Sequence, residues 1–139
     1  MDSNDDKRQE LIKRAMAAGG PEPATDPGSL GIVPWTRLSA HLCPLIGESG
    51  FTALHRRTMR MESGRFTWLE SIDASTVDEM LAGLQTRLGA AGSAEAGEAN
   101  RALLHTFTKL LSGLIGEALT IRLLQSAWPA EDANAREQS

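Results

Sequence analysis

The sequence predicts an all-α fold, a bundle of four to five helices, and three observations carry that prediction. Apolar residues recur at steps of three and four along most of the chain, and clusters of Gly and Pro punctuate those runs. The stretch from Leu103 to Leu124 is apolar on nearly every side, as a helix central to a core would be. With 139 residues, 41% hydrophobic and 23% charged, the chain has the length and composition of one globular domain with a single core.

The first helix is expected over residues 3–18. Ser3 and Asp6 form a capping pair, Leu11, Ile12, Ala15 and Met16 repeat at helical spacing, and Gly19-Gly20-Pro21 stops the run. Residues 19–31 hold three of the six prolines and four glycines, which reads as a linker. Pro34 suits the first turn of a second helix, where its missing N–H would have no partner in any case. Trp35, Leu38, Leu42 and Leu45 then mark one face, and Pro44 predicts a kink or an end between Leu42 and Gly47. A third helix over 49–62 would bury Phe51, Leu54, Thr58 and Met61.

Arg65–Leu69 is the one short segment with strand character, and a connector or a helical turn fits it equally. The next helix starts either at Asp73, with Ile72 and Val77 as a hydrophobic staple, or at Thr76 with Glu79 as a capping box. It carries Leu81, Leu84 and Leu88 to about residue 90. The last segment runs from about Glu95 to Trp128, with Gly113 and Gly116 as places where it could divide. The organisation read from the chain is thus an N-terminal helix and Pro/Gly-rich linker over 1–30, a helical domain over 31–129, and a disordered tail over 130–139.

The tetrapeptide Leu-Ile-Gly-Glu occurs twice, at Leu45–Glu48 and Leu114–Glu117. Pro44 or Gly113 precedes it, Leu38 and Leu42 stand opposite Phe107 and Leu111, and Leu54 or Leu123 follows. Each copy reads as helix, break, helix, so two helix–turn–helix-like hairpins packed together are one form the bundle can take. A duplicated unit with a shared ligand or partner surface and a simple coincidence of two similar bends both account for the echo.

Catalytic chemistry finds little support. Cys43 and His41 lie two residues apart, which on a helix sets them on different faces, and Cys43 among Leu42, Pro44 and Leu45 reads as a small buried hydrophobe. The three histidines, His41, His55 and His105, lack the spacing of a metal site, and no Gly-rich stretch ends as a phosphate-binding loop does. No cofactor or metal is expected. His41 as a phosphorelay acceptor is disfavoured by Pro44 and its apolar neighbours.

The distinctive surface feature is Arg56, Arg57 and Arg60, grouped on one helix face, with Arg65 nearby. In a chain of net charge −4 this is a local basic stripe, suited to a partner protein with an acidic surface. The alternative is a solvated face paired with Glu48, Glu62 and Glu70. DNA reading by the helix at 49–62 is the weaker second option, since residues 50–62 offer no Asn, Gln or Ser to base edges. Trp35, Trp68 and Trp128 read as core rather than interface anchors, while Met59, Met61 and Met80 could give adaptable surface for a homo-oligomer.

The expectation is a cytoplasmic, non-enzymatic regulatory or adaptor module, with a small-ligand-sensing bundle as a third option. A single cysteine, a polar and acidic N-terminus and no long apolar run support the compartment.

Overall fold

Two glycines hold backbone angles that side-chain-bearing residues adopt only at a cost: Gly47 at φ 83°, ψ 160°, and Gly116 at φ 98°, ψ 152°. In the computed structural model, which describes residues 3–17, 27–66, 68, 76–91 and 93–128, these two points, both exposed, are where the helical path bends. The described residues form α1 (Ser3–Ala17), α2 (Pro27–Glu62), α3 (Val77–Ala90), α4 (Ser93–Ile115) and α5 (Glu117–Ala127), with no strand among them. Gly47 divides α2 into two arms, 27–46 and 48–62, and Gly116 separates α4 from α5.

The chain is an all-α bundle, and the local signals explain most of its boundaries. Thr76 is the N-cap of α3, its hydroxyl accepting from the Glu79 backbone N–H at 3.2 Å. The capping-box start therefore holds, and Asp73 lies outside the described residues. Gly113 stays helical within α4, and the break falls at Gly116. The Gly116 N–H still donates to the Ser112 carbonyl at 2.9 Å and its own carbonyl accepts from Thr120 at 3.0 Å, so one residue both ends α4 and begins α5.

Three expectations are corrected. The helix containing Pro34 begins at Pro27, so Pro34 and Pro44 both sit inside α2. The interruption itself falls at Gly47, inside the expected Leu42–Gly47 span, because glycine supplies a positive φ that proline cannot. In the second arm of α2 the buried residues are Phe51, Thr52, His55, Thr58 and Met59, while Met61 is 55% exposed and Leu54 half-buried. The face is rotated because the core takes in polar side chains with local partners. Thr58 donates to the Leu54 carbonyl at 2.9 Å and Thr52 to that of Ser49 at 3.1 Å. Met59 and Met80 are likewise core residues, which leaves Met61 as the exposed methionine of the three.

Trp35 stands at the centre. Its ring lies edge-on to Phe107, centroids 5.1 Å apart, and its indole N–H donates to Asn100 Oδ1 at 2.7 Å. The Asn100 amide in turn donates to the Gly31 carbonyl at 3.0 Å, which ties the start of α2 to α4. Trp128 closes the other side, donating from its indole to the Pro34 carbonyl at 3.0 Å. Trp35 and Trp128 are thus core tryptophans, and Trp68 is half-buried. Residues 18–26 and 129–139, which include most of the expected linker and all of the expected tail, lie outside the described residues.

The Leu-Ile-Gly-Glu echo proves to be the visible part of a structural repeat. Gly47 and Gly116 share one backbone conformation and are separated by the same 69 positions as the hydrogen-bonded pair Gly31 and Asn100. At that spacing buried residue matches buried residue: Trp35 with Leu104, Leu38 with Phe107, Leu42 with Leu111, Phe51 with Thr120, His55 with Leu124, Met59 with Trp128. The short helices follow suit, with Leu11 matching Met80 and Ala15 matching Leu84. Each short helix packs chiefly on the bent helix of the other half, α3 on α2 and α1 on α4 and α5.

If the bends depend on positive φ, Gly47→Ala and Gly116→Ala should each destabilise by about 1–3 kcal/mol, even though an added Cβ at either meets no atom within 4 Å. Gly113→Ala, equally uncrowded but helical, should be neutral or stabilise by about 0.5–1 kcal/mol. Urea unfolding of the three variants checks this, and equal losses at 113 and 116 would contradict it.

Candidate functional site

The second arm of α2 follows the Gly47 break and turns its Phe51–His55–Met59 side to the core. Helical geometry then places Arg56, Arg57 and Arg60 on the opposite side, and all three are exposed. No acidic residue occurs from Ser49 to Met61, so the charged side chains of this stretch of helix are all basic. Arg65 is set apart. It lies in the turn after α2, 3.8 Å from Glu62 and with its guanidinium 5.2 Å from the centre of the Phe66 ring. Glu62 also accepts the Thr106 hydroxyl at 2.6 Å, which fixes the end of α2 to α4.

Arg65 borders a groove of about 840 Å³ between α1 and α4. The groove carries Asp6, Glu10 and Glu98 against Lys13, Arg65 and Arg101, with His105 also in its lining. Acids and bases balance there, so it has no net electrostatic preference for an anion. The arginine face, by contrast, is of one sign.

The residues weighed for chemistry do not converge. His41 is exposed, its ring Nδ1 3.1 Å from the Arg37 carbonyl, while His55 is buried beside Trp35. Cys43 is half-buried rather than enclosed, and burial, followed by the nearby charge of Glu48, raises its thiol pKa above the ordinary value. Such a thiol is a poor nucleophile at neutral pH. Glu48 is exposed, and Glu117 is held 3.5 Å from the buried Arg8. Among the described residues no group of three His, Cys, Asp or Glu could hold a metal ion, and no helix is long and apolar enough to cross a membrane.

Two features escape sequence reading. Arg8 is enclosed by the α1 packing and meets Glu117 of the second break, yet nothing around it in sequence separates it from Lys7 or Arg14. Leu45, Leu114 and Leu119 are exposed although each continues an apolar stripe. The recurrence of Leu45 and Leu114 in the tetrapeptide was the available hint, because helix ends at a bend project beyond the core.

Comparison of the chain with protein-family models, with curated proteins and with solved structures gave no match.

His55 generates a pH prediction. It is 1% exposed, edge-on to Trp35 at 5.1 Å between centroids, and its Nε2 meets no hydrogen-bond partner among the described residues. Burial lowers its pKa from 6.5 to about 4. The unfolded chain therefore takes up the proton first. His55's part of the stability is complete above about pH 6.5 and is lost as pH falls toward 4, a change of about 3 kcal/mol. His55→Leu, placing the residue found at the equivalent Leu124, should flatten the stability profile across that window. Unfolding free energies measured from pH 7 to 4 on both proteins check it; parallel profiles would show that His55 does not titrate as described.

Proposed function

We propose that this protein is a non-enzymatic regulatory or adaptor module that binds an acidic surface of a partner protein through Arg56, Arg57 and Arg60, with Arg65 at the edge of the contact. The observation that carries the reading is the exposure of three arginines on one helix face with no acid between Ser49 and Met61. The positions equivalent to Arg56 and Arg57 in the other half are Gln125 and Ser126, while the buried positions of the same two helices match. A rigid helix presenting planar guanidinium groups suits bidentate pairing with carboxylates, and Met61 beside them adds apolar contact.

The adaptor reading is favoured over DNA binding by the acidic charge of the chain as a whole and the lack of base-reading side chains on the basic arm. The test is a pull-down with the full chain from lysate of the native host, with and without nuclease. A stoichiometric protein partner should survive nuclease and be lost when Arg56, Arg57 and Arg60 are all changed to Glu. The melting temperature should hold, because exposed substitutions of this kind change stability by only about 0.5 kcal/mol each. Capture that vanishes with nuclease would replace this reading with nucleic-acid binding.

A further inference from the structure

The surface between the first arm of α2 and α5 carries a feature independent of the arginine face. The two helices run antiparallel: Pro34 lies against Trp128 at one end, and Leu45 lies across from Leu119 at the other. Between them is an open groove of about 380 Å³, lined by His41, Pro44 and Leu45 on one side and Leu119, Arg122 and Leu123 on the other. Leu45 is 51% exposed and Leu119 43%. A solitary exposed leucine requires no explanation, but facing leucines joined by Pro44 and Leu123 make a continuous apolar strip. The equivalent of Leu45 in the other half, Leu114, is 62% exposed, so the leucine ahead of each bend stays outside the core in both halves.

The charge of the lining has one sign. Among the described residues no acid lines the groove; its polar groups are Arg122, His41 and the Ser126 hydroxyl. The His41 Nδ1–H donates to the Arg37 carbonyl of its own helix, which leaves Nε2 as the ring atom able to meet a ligand. We propose that this groove docks an amphipathic helix of a partner protein, leucine-like residues lying over Leu45, Leu119 and Leu123 and a carboxylate reaching Arg122. Two antiparallel helices present parallel ridges into which a third helix packs. The stretch from Leu119 to Ser126 spans roughly 10 Å, enough to engage about two turns. An open strip of this shape exposes too much of a small apolar ligand to hold it, and the absence of acid selects an acidic helix over a basic one.

The proposal does not rest on the arginine face, and one experiment separates them. The full chain, labelled with ¹⁵N, is titrated with two designed amphipathic peptides of about four turns, alike in their apolar residues and flanked by Glu in one and by Lys in the other. The Glu peptide should shift the amides of 41–45 and 119–126 saturably. Leu119→Glu should weaken it by at least about tenfold and Arg122→Ala by about threefold; both residues are exposed, so the circular dichroism spectrum should not change. The Arg56/Arg57/Arg60 variant should bind it as the parent does. Equal binding of the Lys peptide, shifts elsewhere on the bundle with none at 41–45 and 119–126, or no shift at millimolar peptide would overturn the proposal. So would shifts of these amides with protein concentration alone, which would assign the groove to a second copy of the chain.

Discussion

The rest of the structure depends on two glycines that redirect the helical chain, one inside α2 and one between α4 and α5. At 36 residues, α2 would extend roughly 54 Å if straight, nearly twice the width of a small domain, and most of its apolar face would have nothing to cover it. The positive φ at Gly47 folds the second arm back, so that Phe51 and His55 reach the same core as Trp35. Gly116 does the same for α4 and α5. Four arms of modest length then share one interior, and α1 and α3 cover what remains, each leaning on the opposite half. The bends also explain the exposed leucines, because a helix that changes direction leaves its last residues standing at the corner.

Within that frame the core is less apolar than its position implies. Thr52, Thr58, Thr108, Thr120 and Ser39 are buried with each hydroxyl bonded to a backbone carbonyl three or four residues earlier, so no polar atom of theirs is stranded. Asn100 uses both ends of its amide, accepting from Trp35 and donating to Gly31, and so holds the crossing of α2 and α4 in one register. His55 is accommodated differently, as a neutral ring stacked edge-on against Trp35, which makes it the acid-sensitive member of the core.

The repeat separates what the fold requires from what it leaves open. Buried positions correspond across the two halves, whereas several exposed ones differ: arginines on α2 stand where α5 has Gln125 and Ser126. Even near the bends the halves differ. The buried Arg8 meets Glu117, while at the equivalent positions Val77 is simply apolar and Glu48 is exposed. Side chains that differ at equivalent surface positions are not dictated by the shared core, and that reasoning directs attention to the basic arm and to the groove beside Arg122.

By itself the sequence determined the helical class and narrowed the start of α3 to Asp73 or Thr76, because periodicity and capping are local and each is written within a few residues. It marked both bends through Leu-Ile-Gly-Glu, since only glycine reaches that backbone conformation cheaply. It also grouped Arg56, Arg57 and Arg60, whose common face follows from helical pitch alone. The tertiary structure decided the rest. Which side of the second α2 arm faces inward depended on packing against distant residues, Trp35 for His55 and Phe107 for Phe51. That Met59 is core and Met61 surface, that Arg8 meets Glu117, and that Leu45 and Leu119 border one groove are consequences of how bent helices pack. Packing is a property of pairs far apart in sequence, and the 69-residue repeat stays hidden for the same reason: burial is preserved across its halves while the residues that achieve it are not.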